Sequence, residues 1–221
     1  MKVGTRLIAA GAAATACCVI GFASFAGDKG QAKGHDKNAG HSHAAQTQAD
    51  PMAEMMARCE AYAAINENHQ FLAKWEGDWN LKIKHWMSPE MPPMENDSSA
   101  SSKMVMDGHY LIEKVKGAFD MGDGNMTPFE GMAIMGYDNN KQMYFSTWID
   151  NMGSGMMEEW GERKGNTIEM KGESYNPMFG AVVPSKSVAT IVDANTRKLE
   201  MFTTPPGGKS FKMMEIVYTR K

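Results

Sequence analysis

The sequence predicts an all-β protein, a closed antiparallel up-and-down barrel of about ten strands preceded by an N-terminal helix. Two observations lead to this prediction. Short runs in which apolar and polar residues alternate recur from residue 75 to the end, as expected of half-buried strands. The breaks between those runs are turn sequences such as "GYDNNK", "RKGN" and "PPGG". Because almost every connection is hairpin-short, a meander barrel is favoured over the alternative, a sandwich with long crossovers.

The first 26 residues have the composition of an export signal. Lys2 and Arg6 form a basic head, an apolar stretch follows, and the small residues Ser24 and Ala26 end it. Cleavage after Ala26 is the favoured interpretation, because the apolar stretch is short for a membrane span. An uncleaved anchor and a lipid anchor at Cys17 are the alternatives. The segment therefore predicts an exported protein, periplasmic or secreted, with no stable membrane insertion after cleavage.

Residues 27–50 are predicted to form a flexible linker, because they contain almost nothing apolar larger than alanine. Three histidines lie in it, His35, His41 and His43. The His-x-His pair could bind a transition metal weakly, and the simpler interpretation is a soluble spacer with incidental histidines. Without the export signal the chain would have 195 residues, of which 21 are basic and 26 acidic, a net charge of −5. This balance excludes a nucleic-acid-binding role, which requires a basic face.

Residues 51–74 are predicted to form the N-terminal helix and its lead-in to the barrel. Pro51 suits the first turn, and an apolar stripe follows at helical spacing. The stripe consists of Met52, Met55, Met56, Cys59 and Ala63. We expect it to lie on the barrel or to cap one end. Cys59 is most simply a small hydrophobic residue of this stripe.

The barrel domain is predicted over residues 75–221. Its candidate strands span residues 79–87, 101–107, 109–118, 128–136, 142–150, 155–162, 166–173, 185–193, 197–203 and 210–219. The first of them begins just after Gly77, and the last ends in "VYTRK".

These two ends resemble the lipocalins and related calycins. In those barrels a Gly-x-Trp on the first strand lies at the closed base, and a basic residue of the last strand packs over the indole. The resemblance implies that Gly77 and Trp79 lie at the closed end and that Arg220 packs over Trp79. Such a cation–π contact contributes about 0.5–2 kcal/mol.

A second resemblance covers the chain from about Phe71 to its end. The segments "FLAKWEGDW", "FEG", "MGYD", "STWIDNMGSG" and "MEIVYTRK", in that order and spacing, resemble a bacterial family known as domain of unknown function 1579. The resemblance implies a calycin-like barrel in exported or cytoplasmic proteins. It supplies no catalytic residues.

Candidate ligand-binding residues come from two strands. Tyr144, Ser146, Trp148 and Asp150 share one face of "YFSTWID", and would bring a phenol, an indole and a carboxylate to a pocket if that face points inward. The alternative is two ordinary packed faces. His85 follows Leu81 and Ile83 on the face taken as the interior, where it could contact a ligand's polar head or bind haem iron. As a rim residue it would instead be hydrated. The predicted ligand-binding residues are His85, Tyr144, Trp148 and Asp150.

Methionine is unusually frequent, with 22 in the chain. The segment "HWMSPEMPPM" places Met87, Met91 and Met94 close to His85, and thioethers with imidazole suit Cu(I). The alternative is packing, in which flexible thioethers line a core or an adaptable cavity. On the later strands the methionines expected to face the interior are Met106, Met132, Met170 and Met201.

Catalytic and metal-binding motifs are missing from the sequence. "GGKS" lacks the earlier glycine and the helix of a phosphate loop, and the adjacent Glu158 and Glu159 would face opposite sides of a strand. The favoured function is therefore the binding of a small apolar or amphiphilic molecule, without a cofactor. The alternatives are a Cu(I)-binding protein and an enzyme that uses a titratable group in the cavity, with Asp150, Glu130 or His85 as the candidates.

Overall fold

The structure, a computed structural model, describes residues 50–120 and 124–221. The export signal predicted over residues 1–26 and the linker up to residue 49 lie outside the described residues. The chain divides into two units between Ala64 and Ile65. The first contributes one described helix, and the second contains all the other elements.

Helix α1 spans Pro51–Ala63. Its N-terminus is capped by Asp50, whose carboxylate accepts a hydrogen bond of 3.0 Å from the Met52 amide. No residue of α1 is buried, and of its predicted stripe only Met55 and Cys59 are half-buried. Cys59 is a free cysteine.

A second helix, α2, spans Glu67–Ala73, where the sequence predicted only a lead-in to the barrel. Asn66 starts it with a capping box: its side chain accepts from the Asn68 amide at 2.9 Å, and its own amide donates to His69 Nδ1 at 3.2 Å. Phe71 and Leu72 are buried, and α2 contacts β2, β3 and β4 at one end of the barrel. This end is called the closed end below, and the opposite end is called the mouth.

Ten strands follow α1 and α2 in the described chain: β1 Gly77–His85, β2 Met94–Val105, β3 Tyr110–Asp120, β4 Met126–Asp138, β5 Met143–Asp150, β6 Met157–Lys164, β7 Thr167–Asn176, β8 Ala181–Ile191, β9 Thr196–Thr203 and β10 Phe211–Arg220. Each strand pairs antiparallel with the next along the chain, and β10 pairs with β1. The predicted closed antiparallel up-and-down barrel with a leading helix is therefore confirmed.

The predicted bounds of β2 are wrong at both ends. The strand begins at Met94, because the polar run that follows pairs with β1 in a regular register, Asn96 opposite Ile83 and Ser98 opposite Leu81. Pairing with a neighbour outweighs the turn preference of single Asn, Asp and Ser residues. It ends at Val105, because Met106 and Asp107 have positive φ angles of 51° and 56°.

Side chains of alternate residues point into the barrel. On β1 these are Trp79, Leu81 and Ile83, which are all buried. The closed half of the interior is filled with side chains from α2 and the strands, including Phe71, Leu72, Leu111, Tyr144 and Ile168. Towards the mouth this packing gives way to a cavity.

Candidate ligand cavity

A cavity of about 800 Å³ lies inside the barrel. Its floor, towards the closed end, includes Trp75, Glu113, Arg197 and Tyr218. Small inward residues leave this space open, among them Ala133, Ser146, Ser187 and Ala189. Apolar side chains form most of the wall, including Ile83, Val115, Phe129, Leu199 and Ile216.

Three of the four predicted ligand-binding residues line this cavity: His85, Trp148 and Asp150. Trp148 Nε1 donates a hydrogen bond of 2.8 Å to Asp150 Oδ2, and the Phe129 ring stacks beside the indole with centroids 6.3 Å apart. Burial lowers the pKa of His85, which favours a neutral imidazole at the mouth. The face of β5 that carries these side chains therefore points inward.

Trp148 has room because of a glycine on the neighbouring strand. A Cβ placed on Gly131 would lie 2.3 Å from Trp148 Cζ2, so the indole lies directly against the β4 backbone. Any larger residue at this position would push the ring into the cavity.

Tyr144 shares the inward face of β5 but does not line the cavity, which corrects the prediction for this residue. It lies at the closed end, where its hydroxyl donates to Asn68 Oδ1 of α2 at 2.9 Å. Burial raises the pKa of Tyr144 to about 12. Because it lies at the start of β5, beneath α2, its role is in closing the barrel.

Three other expectations are corrected by the direction of the side chains. Glu130 is exposed and pairs with Lys116 at 2.9 Å, so it is not a titratable group of the cavity. Met132 alternates with the inward residues Gly131 and Ala133 and faces outward, and Met106 is 71% exposed in the turn after β2. The other two expected methionines, Met170 and Met201, do line the cavity.

At the closed end the guanidinium carbon of Arg220 lies 4.3 Å from the centroid of the Trp79 ring. Register brings them together, since Trp79 and Arg220 are partners in the β1–β10 pair. Arg220 Nη1 also donates to the Glu76 carbonyl at 2.8 Å. Gly77 is required here because its φ is 130° and a Cβ would lie 2.3 Å from Arg220 Nη1.

A second guanidinium, missed by the sequence analysis, approaches Trp79 at the cavity floor. The guanidinium carbon of Arg197 lies 4.7 Å from the Trp79 ring centroid and 4.0 Å from that of Tyr218. Arg197 Nη2 donates to Glu113 Oε2 and to Ser102 Oγ. Tyr218 donates its hydroxyl proton to Glu113 Oε1 at 3.1 Å, so the carboxylate is bound on both oxygens. The floor is thus a compensated ion pair enclosed by aromatic rings.

Glu159 on the cavity wall was also missed as a functional residue. It is 2% exposed, whereas its neighbour Glu158 is exposed, as their adjacent positions require. Ser185 Oγ donates to Glu159 Oε1 at 2.7 Å, and Ser187 Oγ donates to Glu159 Oε2 at 2.5 Å. Burial raises the pKa of Glu159, while the two serine hydrogen bonds partly oppose this shift. Among the described residues its carboxyl has no basic partner.

The mouth is rich in methionine. Seven exposed methionines lie in or beside the connections at this end: Met87, Met91, Met94, Met126, Met152, Met156 and Met178. Four of them, Met87, Met94, Met152 and Met178, also line the cavity. The entrance is therefore apolar and made of flexible side chains. We refer to these seven residues as the methionine rim.

Across residues 50–120 and 124–221, no group of three or more His, Cys, Asp or Glu side chains is placed to hold a metal ion. In the same residues no helix is long and apolar enough to cross a membrane.

Fold and cavity together define the class: a calycin-like, ten-stranded antiparallel barrel with a hollow interior. Residues 65–220 match the family described as protein of unknown function (DUF1579), and the chain belongs to that family.

Among curated proteins, the chain is 31% identical over 113 residues to molybdopterin molybdenumtransferase from two strains of Staphylococcus epidermidis. The match covers 49% of this chain and 25% of that protein, so the chain spans about a quarter of the length of the curated relatives it matches. Among solved structures, Rv2717c from M. tuberculosis is similar at 12% identity with a TM-score of 0.48, covering 72% of this chain and 99% of that one. A redesigned beta barrel is similar at 13% identity with a TM-score of 0.35, covering 68% and 94%.

Proposed function

We propose that this protein binds a small apolar or amphiphilic molecule inside the barrel. The observation that carries the proposal is the cavity of about 800 Å³ with its largely apolar wall. Protein pockets that bind small molecules typically measure about 300–1,000 Å³ and combine such walls with a few polar groups.

The arrangement of polar groups supports an amphiphile in particular. The floor and one wall carry Glu113, Arg197 and Glu159, whereas the entrance is formed by the methionine rim. A ligand with one polar end and an apolar body would match this polarity. Thioether side chains change shape at low cost, so the rim would adapt to bodies of different shape.

The test is uptake of a neutral fluorescent apolar probe, together with native mass spectrometry of the protein as purified. Trp148→Ala should change probe affinity by about tenfold, because the indole forms part of the cavity wall. The matched control is Lys82→Ala on the exposed face of β1, which should leave the affinity unchanged. Absence of probe binding at micromolar concentration would overturn the proposal.

A Cu(I)-binding role is a second candidate, since Met87 and Met94 lie at the mouth together with His85. Thioether and imidazole ligands favour Cu(I). Titration of Cu(I) into the full chain, with Met87, Met91 and Met94 changed to leucine as the comparison, tests it. Equal affinity of the two proteins would exclude a site built from these methionines.

We also propose that the protein is exported and cleaved after Ala26, on the basis of the basic, apolar and small residues of its first segment. Mass spectrometry of the protein from its natural host should then give an N-terminus at Gly27. A native N-terminus at Met1 would exclude cleavage.

A further inference from the structure

Building on the proposed function, we propose that the buried end of the ligand carries a protonated amine, which pairs with the Glu159 carboxylate on the cavity wall. The ligand would then be a cationic amphiphile. Three observations on the described residues carry this inference: the hydrogen bonding of Glu159, the charges that line the cavity, and the aromatic side chains around it.

The hydrogen bonds to Glu159 are those expected for a charged carboxylate. Each carboxyl oxygen accepts a hydrogen bond from a serine hydroxyl, Ser185 at 2.7 Å and Ser187 at 2.5 Å. These bonds fix the orientation of the carboxyl and stabilise its charged form. A buried ion pair would also include a cation, and the described residues place none beside Glu159. A buried charge is tolerated only when paired and hydrogen-bonded, and here the hydrogen bonds are present without the pair.

The charges around the cavity disfavour an anionic ligand. Five acidic residues line it, Glu95, Glu113, Asp120, Asp150 and Glu159. The lining includes two residues of permanent positive charge, Arg197 and Lys198. Both are already paired: Arg197 with Glu113, and Lys198 with Glu200 and Glu215 at 3.1 Å each. A carboxylate or phosphate headgroup would therefore meet five acidic groups. The one further basic side chain of the described lining is His85 at the mouth, where burial lowers the pKa and favours the neutral imidazole.

Aromatic faces near Glu159 add to the preference for a cation. Trp148 lies on the adjacent strand β5, where Ser146 is the partner of Glu159 and Trp148 is the partner of Met157. Phe129 stacks beside Trp148, and both rings line the cavity. The faces of indole and phenyl rings attract ammonium groups, more strongly when water is excluded.

The burial of Glu159 also affects its protonation in the free protein. Burial raises the pKa of Glu159, so the free carboxyl retains its proton to higher pH than an exposed glutamate. The residues of neighbouring strands that face it are Ser146 from β5, Gly172 from β7 and the two serines from β8. The charged groups that share the cavity lining with it include Asp150, Glu113 and Arg197. None of these supplies a free positive charge. Binding of an ammonium group would lower the pKa of Glu159.

The experiment compares three probes that share one apolar chain: dodecylamine, dodecanol and dodecanoic acid, each below its micellar concentration at neutral pH. Their affinities are measured by displacement of a neutral fluorescent probe from the full chain. We expect the amine to bind about tenfold more tightly than the alcohol, and the acid to bind most weakly.

Glu159→Gln keeps the size of the side chain and its acceptor oxygen but cannot become charged. It should lower the ratio of amine affinity to alcohol affinity from about ten to about one. The matched control is Glu158→Gln, which alters the exposed neighbour on the same strand and should change neither. If Glu159→Gln fails to fold, the three probes on the unmodified protein still decide the question.

The outcomes separate the two proposals. Equal binding of amine, alcohol and acid would overturn the amine inference and leave the ligand-binding function standing. Tighter binding of the acid would also overturn it. If the neutral probe itself fails to bind, the ligand-binding function is wrong. If the probe binds and none of the three displaces it, the amine inference is overturned and the ligand-binding function stands.

Discussion

At the scale of single residues, the two deepest carboxyls of the cavity have opposite electrostatic surroundings. Glu113 at the floor is compensated by Arg197, whose guanidinium is enclosed by Trp75, Trp79 and Tyr218. Glu159 on the wall has two serine donors and, within residues 50–120 and 124–221, no cationic partner. The charge of Glu113 is therefore already paired, whereas we propose that Glu159 pairs with a ligand.

The first prediction concerns the buried pair. Arg197→Met should reduce the free energy of unfolding by about 3–5 kcal/mol, because it leaves Glu113 charged and unpaired at a site that is 6% exposed. Urea denaturation of both proteins measures the difference. Arg220→Ala is the comparison: that guanidinium is partly exposed, and losing its stacking on Trp79 should cost only about 1 kcal/mol. A smaller loss for Arg197→Met than for Arg220→Ala would contradict the assignment of the floor.

The second prediction concerns the pH dependence of stability. Since burial raises the folded pKa of Glu159 above the ordinary glutamate value of 4.5, the folded state binds the proton more tightly than the unfolded state. The resulting stabilisation is complete below the unfolded pKa and is lost as pH rises through the folded pKa. The unfolding free energy of the unmodified protein should therefore fall relative to that of Glu159→Gln as pH rises above about 4.5.

Denaturant titrations from pH 4 to pH 8, about the range in which a buried carboxyl titrates, measure this difference. Glu158→Gln is the control, since an exposed glutamate should give a difference that does not change with pH. A constant difference for Glu159→Gln as well would show that its carboxyl is as easily ionised in the folded as in the unfolded chain.

Residue-scale reasoning from sequence succeeded where a local pattern carried the information. The Gly-x-Trp and the terminal arginine led to the contact between Trp79 and Arg220, and strand alternation placed His85 on the inward face of the first strand. Alternation grouped Trp148 with Asp150 and left open whether their face points inward. The ion pair of Glu113 and Arg197 joins positions 84 residues apart, and Glu159 and Ser187 are 28 apart. The sequence did contain one signal for these residues, a charged residue at a position that faces inward. Arg197, for example, lies two residues before Leu199 and therefore on the same face of the strand.

At the scale of secondary-structure elements, the ten strands followed from their alternation and from the turn residues between them. The second helix did not, because its seven residues are ordered by capping at Asn66 and by burial of Phe71 and Leu72 against the barrel. Likewise β2 begins where pairing with β1 begins, at Met94. Both depend on contacts with other elements, which a single segment of sequence does not contain.

The third prediction belongs to the connections at the mouth. Mild peroxide should oxidise the exposed methionines first, those of the methionine rim together with Met52, Met56 and Met106, while Met170 at 2% exposure reacts last. Each reaction transfers one oxygen from peroxide to a thioether and forms water. Sulfoxides are polar, so uptake of the neutral probe should fall several-fold. Peptide mass spectrometry locates the oxidised residues.

A variant with all seven residues of the methionine rim changed to leucine provides the control. It keeps an apolar rim that peroxide does not oxidise, so its probe affinity should survive the treatment. Loss of binding in both proteins would show that the rim does not govern entry.

At the scale of the whole molecule, the barrel combines a packed closed half with a hollow half. Closure by β1 and β10 leaves every strand paired on both sides, and α2 with Trp75 fills the closed end. The cavity of about 800 Å³ lacks the dispersion contacts that packing would supply. A ligand that fills it should stabilise the fold, by about 2.7 kcal/mol at a concentration of one hundred times its Kd.

The fourth prediction follows from this hollow half. Ala133 lines the cavity and is 7% exposed, so Ala133→Phe would project a phenyl ring into the empty space. Probe affinity should fall at least about tenfold. The midpoint of thermal unfolding should stay the same or rise, because the ring gains contacts in volume that is otherwise empty. Ile134→Phe changes the next residue of β4, which is 37% exposed on the outer face, and should leave probe affinity unchanged. Probe-induced stabilisation should disappear only in Ala133→Phe. If both variants bound the probe as tightly as the unmodified protein, the binding site would lie on the outer surface of the barrel.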